Sequence, residues 1–131
     1  MRKHLPFVIV VTLLLASCAT ADNRTRPNLE QRLLEMGLQL GESNSHIPRY
    51  RINGWSAIDD LNLIITAGVN DKYLIRLSSP CLGLEGSFFI GFTTPMTRLG
   101  RFDRIVVRSI ERGREYCRIQ DIVHLEKSAD T

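Results

Sequence analysis

The chain has 131 residues, 44% hydrophobic and 24% charged, with 17 Lys+Arg against 14 Asp+Glu for a formal charge of +3. That length holds one small domain, and the mixed charge excludes a wholly disordered chain. Three cysteines are too few for a disulfide-dense mini-protein, so a modest globular core is expected.

Residues 1–17 read as an address. Arg2 and Lys3 precede an uncharged, mostly apolar run from Leu5 to Ala16. As a helix those residues rise only about 18 Å, too short for a hydrocarbon core of about 30 Å, and this marks a signal-peptide core rather than a membrane span. Leu15-Ala16-Ser17-Cys18 resembles the bacterial lipobox. The resemblance implies cleavage before Cys18, a diacylglycerol thioether on its sulfur and N-acylation, so that several acyl chains anchor the protein to the membrane. The competing reading is an ordinary secretory signal cut near Ala19 to Ala21, which leaves a soluble periplasmic protein. Ala19 and Thr20 follow the cysteine, with no Asp at the position that retains enterobacterial lipoproteins at the inner membrane. The resemblance therefore favours the periplasmic face of the outer membrane over an inner-membrane lipoprotein.

Cleavage removes Arg2 and Lys3 and leaves 114 residues with 15 basic and 14 acidic side chains. The mature protein is nearly neutral, and with its compartment this argues against a nucleic-acid partner. Cys81 and Cys117 remain, an even pair in an oxidising compartment, and a structural disulfide is expected. A redox or metal role lacks support, because there is no C-x-x-C and neither His46 nor His124 stands at ligand spacing. Neither a metal nor a cofactor is expected.

Residues 18–27 are short, polar and aperiodic, as a flexible tether is. Residues 28–48 read as a helix and its connector. Asn28 can cap, Gln31 completes a capping box, and Leu29, Leu33, Met36 and Leu40 form one stripe, with Gly37 weakening the helix and Gly41 ending it. That helix either packs on the core or lies on a membrane or partner; Arg32, its one basic residue, suits a membrane surface poorly.

From residue 49 to 126 the period becomes two. Tyr50 and Ile52, then Trp55 and Ala57, begin an extended stretch; Leu61, Leu63 and Ile65 alternate with Asn62 and Thr66, and Tyr73, Ile75 and Leu77 with Arg76 and Ser78, as half-buried strands. Phe88, Ile90 and Phe92 are expected on one face, followed by strands over 102–110 and 116–125, the last interrupted by a bulge or break at Asp121. Asp59-Asp60, Gly68 to Asp71 and the region of Gly113 supply the turns. The fold class is mainly β: a compact antiparallel sheet or small barrel of five to six strands with one N-terminal helix.

Gly54-Trp55 with Asp59, Tyr73-Leu74 and Leu77 before Pro80-Cys81, Phe92 in Phe-Thr-Thr, Phe102-Asp103 and Cys117-Arg118-Ile119 form an ordered series. It resembles a family of small proteobacterial lipoproteins classified only as a domain of unknown function. The resemblance implies that both downstream cysteines belong to the domain's framework, and it carries no activity.

Candidate chemistry is sparse. Asp59 and Asp60, neighbours that point apart in an extended chain, suit a turn better than an acid–base pair, and Asp103 reads likewise. Ser78 and Ser79 lack a nucleophile elbow, and Asn70, Asp71 and Asp59 lack the spacing of a calcium loop. No catalytic residue is assigned. Trp55 and Tyr73 fit a core better than an aromatic platform. Seven arginines between Arg98 and Arg118 face three acidic residues. Arg98, Arg101, Arg104 and Arg108 are the candidate anion- or partner-binding residues, with Arg104 and Arg108 on one strand face. The expected function is a lipid-anchored periplasmic binding or interaction module that contacts an envelope protein or an anionic envelope component. An envelope enzyme and a purely structural lipoprotein are the alternatives. Metabolic labelling with palmitate is expected to mark the wild-type protein and not Cys18→Ser; equal labelling of the two refutes the role of Cys18.

Overall fold

A computed structural model describes residues 28–95 and 97–129. The expected signal sequence, Cys18 and the expected tether lie outside the described residues. Helix α1 (Leu29–Glu35) leads into strands β1 (Leu38–Leu40) and β2 (Ile47–Pro48), a 3-10 turn, then β3 (Ile52–Ala57), β4 (Asn62–Ala67) and β5 (Asp71–Leu77). β6 (Ser87–Phe92), β7 (Arg98–Leu99), β8 (Arg104–Ser109) and β9 (Gly113–Lys127) complete the chain. The main sheet is antiparallel in the order β3-β4-β5-β9-β8-β6, with β1 also on β9 and a separate β2-β7 ribbon.

The first helix is shorter than the leucine stripe predicts. Asn28 caps it, its side chain accepting from the Glu30 amide, but Gly37 adopts φ +74° and turns the chain out of the helix. Leu40 therefore lies in β1, where the register Leu38↔Lys127 to Leu40↔Leu125 ties it to the end of β9. The end of the expected helix thus supplies β1, and the expected connector supplies β2. Cross-strand hydrogen bonds from the end of β9 reward an extended conformation there, and a weakly helical Gly37 cannot compete.

β9 organises the sheet. Its first half pairs with β8, from Ser109↔Gly113 to Arg104↔Arg118, and its second half with β5, from Leu77↔Ile119 to Lys72↔Leu125. The opposite edge of the second half is covered too: Gly41 N donates to His124 O at 2.8 Å, His124 N to Glu42 O at 2.8 Å and Ser45 N to Ile122 O at 2.9 Å. Phe102 N and Asp103 O complete the edge at Ile119.

A register shift at Arg76/Leu77 leaves Gln120 as the extra residue on β9, beside the expected position, Asp121. The bulge changes which side chains face inward. Before it Cys117 and Ile119 enter the main core; after it Ile122 does, while Val123 and Leu125 face a second core. That second core is Leu33, Leu38, Ile64, Leu74, Val123 and Leu125. Ile64 and Leu74 break the alternation of β4 and β5 because α1 and β1 cover the sheet's outer face there. The helix packs on the sheet, and Arg32 Nη1 donates to Ile58 O at 2.8 Å.

The main core lies inside the curled sheet, and the β2-β7 ribbon contributes the fully buried Ile47 and Leu99 to it. The curl stops short of closure. The free edges of β3 and β6 flank a cleft of about 540 Å³ lined by Tyr50, Asn53, Trp55, Ile90 and Phe92. A second register shift, between Ser87 and Phe89, removes Phe88 from the face it was expected to share with Ile90 and Phe92, and Phe88 is exposed.

Cys81 and Cys117 form a buried disulfide with Cα atoms 5.9 Å apart, joining the loop after β5 to β9 across 36 positions. Closing a loop of that length restricts the unfolded chain by about 3 to 4 kcal/mol, a large share of a small domain's stability. Urea unfolding of Cys81→Ala/Cys117→Ala is expected to show a loss of that order; an unchanged midpoint and slope overturns the assignment of a stabilising clamp.

Candidate functional site: the outer face of β6, β8 and β9

Alternation along β8 buries Ile105 and Val107 and turns Arg104, Val106 and Arg108 outward. On β9 the same rule turns Arg114, Tyr116 and Arg118 outward over buried Cys117. The hairpin register then aligns them in rows: Arg104 faces Arg118, Val106 faces Tyr116, and Arg108 faces Arg114. β6 adds Phe89 beside Arg108 and Gly91 beside Val106.

Four arginines thus stand as two directly opposed like-charge pairs, an arrangement that destabilises a sheet. Among the described residues none of the four side chains joins an ion pair or a hydrogen bond. Arg108 has one partner, the Phe89 ring, with its guanidinium carbon 5.4 Å from the ring centre, a cation–π distance. Gly91 makes that ring position available: a Cβ there meets Phe89 Cε1 at 3.1 Å. A recess of about 260 Å³ lies over this end of the face, bounded by Phe89, Gly91, Val106, Arg108, Arg114 and Tyr116. Tyr116 is 56% exposed between the two charged rows.

The loop leading into β8 adds a second departure from local stability. Phe102 has φ +70° and is 66% exposed, although a left-handed conformation costs a non-glycine residue about 1–2 kcal/mol. Arg101 lies over its ring at 5.0 Å, and the Phe102 amide is committed to Ile119 O.

Residues 1–130 match a family of unknown function, DUF6491. The chain belongs to that family. No curated protein and no solved structure matches it.

In this DUF6491 chain the four arginines singled out from sequence separate. Arg104 and Arg108 share the face described above. Arg101 is held elsewhere, its Nε donating to Gln120 O and its Nη1 to Asn44 Oδ1, both at 3.1 Å. Arg98 lies in the β2-β7 ribbon opposite Pro48. Arg114 and Arg118 take the places beside Arg104 and Arg108, and the turn signal at Gly113 is the feature of the sequence from which their register follows.

Several of the remaining polar side chains serve the framework. Asp59 Oδ1 accepts from Leu61 N at 2.8 Å and from Asn62 Nδ2 at 2.9 Å, and Asp103 Oδ2 accepts from Gly100 N at 2.7 Å. Glu115 points inward and accepts from Gly83 N at 2.6 Å. Asp71 pairs with Arg51 at 3.1 Å and lies 3.6 Å from His124 Nε2. His124 meets Tyr73 edge to face, and burial, then the Asp71 charge, holds the Tyr73 hydroxyl above its ordinary pKa against a lowering effect of Arg51. Trp55 and Tyr73 pack against the main core. Trp55 also borders the β3–β6 cleft. Among the described residues no group of three His, Cys, Asp or Glu is placed to hold a metal ion, and no helix is long and apolar enough to cross a membrane.

Relief of the like-charge pairs gives a direct test of the face. Arg114→Glu and Arg118→Glu are each expected to raise the unfolding free energy by about 0.5 kcal/mol in urea titrations at low salt, because each converts a repulsive cross-strand pair into an attractive one. A loss of stability in both refutes the pairing.

Proposed function

We propose that the protein is a lipid-anchored binding module of the cell envelope, tethered through acyl chains on Cys18 at the periplasmic face of the outer membrane, that holds an anionic partner against its β6-β8-β9 face. The observation that carries this reading is the opposition of Arg104 to Arg118 and Arg108 to Arg114 without an acidic partner among the described residues. A framework that supplies Asp59, Asp71, Asp103 and Glu115 with partners leaves these four cations to a ligand. Guanidinium groups match phosphate and carboxylate oxygens two at a time, so the face suits an anionic surface better than an apolar one. The lipobox resemblance supports the anchor and the compartment.

The mature chain carrying Cys18→Ser, which separates the face from the anchor, is the material for the test. It is expected to sediment with isolated envelope fragments in low salt and to be released as ionic strength rises. Arg104→Glu/Arg108→Glu is expected to abolish sedimentation while retaining a cooperative unfolding transition. Equal sedimentation of the parent and the double variant removes the face from the function.

A further inference from the structure

We propose that the ligand of this face is a saccharide carrying two phosphate groups, one for each arginine pair, as in the head group of a bisphosphorylated glycolipid. The inference rests on the envelope-binding reading and specifies its ligand.

The first argument is charge. Each cross-strand pair, Arg104 with Arg118 and Arg108 with Arg114, gathers two positive charges. A phosphomonoester carries about −1.5 to −2 near neutral pH, so one such group neutralises one pair, whereas a single carboxylate leaves half the charge uncompensated. Each pair also presents two planar forks to one anion, which matches the several acceptor oxygens of a phosphate.

The second argument is spacing. Residues 104 and 108 on β8, like 118 and 114 on β9, are separated by four strand positions, about 14 Å at the rise of an antiparallel strand. A lone phosphate engages one pair at a time. A ligand with two anions separated by a distance of this order engages both, and its second contact becomes intramolecular.

The third argument concerns what lies between. The middle row is Gly91, Val106 and Tyr116, uncharged, with the exposed Tyr116 ring at one end and the Phe89 ring against Gly91 at the other. Such a strip accepts a neutral spacer that offers an apolar C–H face to the ring and hydroxyl groups to its phenol. Sugar rings have both. The Phe89 ring, which lies against Gly91 and beneath the Arg108 guanidinium, restrains one arginine before binding and lowers the ordering cost.

The test uses the full mature chain in detergent and isothermal titration with an N-acetylglucosamine disaccharide phosphorylated at both ends, the same disaccharide with one phosphate, inorganic phosphate, an acidic peptide and a short single-stranded oligonucleotide. The bisphosphate is expected to bind roughly a hundredfold more tightly than the monophosphate, the gain of an intramolecular second contact. Arg104→Gln/Arg118→Gln and Arg108→Gln/Arg114→Gln are each expected to reduce bisphosphate binding to the level of the monophosphate, with cooperative unfolding retained. Equal affinity for one and two phosphates overturns the two-anion ligand. Equally tight binding of the peptide or the oligonucleotide overturns the ligand class. If neither sugar binds while envelope sedimentation still depends on Arg104 and Arg108, this proposal fails and the envelope-binding reading stands. Loss of both removes both.

Discussion

The fold depends on hydrogen bonding along both edges of β9. A strand of fifteen residues that runs through the middle of the sheet offers its amides and carbonyls to partners on both sides. β5 serves one edge of its second half, and β8, residues 102–103, the chain from Gly41 to Ser45 and β1 serve the other side in succession. Every element of the main sheet except β3, β4 and β6 touches this strand directly. Those three are attached through β5 or β8.

The bulge at Gln120 lets one strand serve two cores. A regular β9 keeps one parity throughout and sends the same side chains inward along its whole length. With the extra residue, Cys117 and Ile119 fill the curled sheet, and Val123 and Leu125 receive α1 and β1 on the outside. The outer face is consequently divided. Where the helix covers it, it is apolar; beyond the helix, on β6, β8 and the first half of β9, it is open and carries the arginines. The buried disulfide at Cys117 lies directly beneath that open half, between outward-facing Tyr116 and Arg118. The cross-link thus places a covalent floor under a self-repelling charged surface.

Much of the architecture was legible because it is local. The turn residues at Asp59, Gly68 and Gly113, the alternation of Leu63 and Ile65 or Tyr73 and Ile75, and the even cysteine pair all report on short stretches or simple counts. The mainly β class with a nearly closed antiparallel sheet followed from them. The misreadings share one cause. Leu40 suits a helix stripe until β9 offers a ladder; Phe88 shares a face with Ile90 until a bulge opposite β8 displaces it. In each case a partner distant in the chain supplies energy that local propensity does not contain.

The arginines follow the same division. By itself the sequence determined that positive charge is concentrated between residues 98 and 118 and that Arg104 and Arg108 share a strand face, because both are matters of composition and of period two. Only the tertiary structure decided that Arg101 is tied to Asn44 and Gln120, that Arg98 belongs to another ribbon, and that Arg114 and Arg118 complete the set. Side-chain pairing across strands is a property of register, and register is settled by the turn at Gly113 together with the burial of Ile105, Val107 and Cys117, not by the arginines themselves.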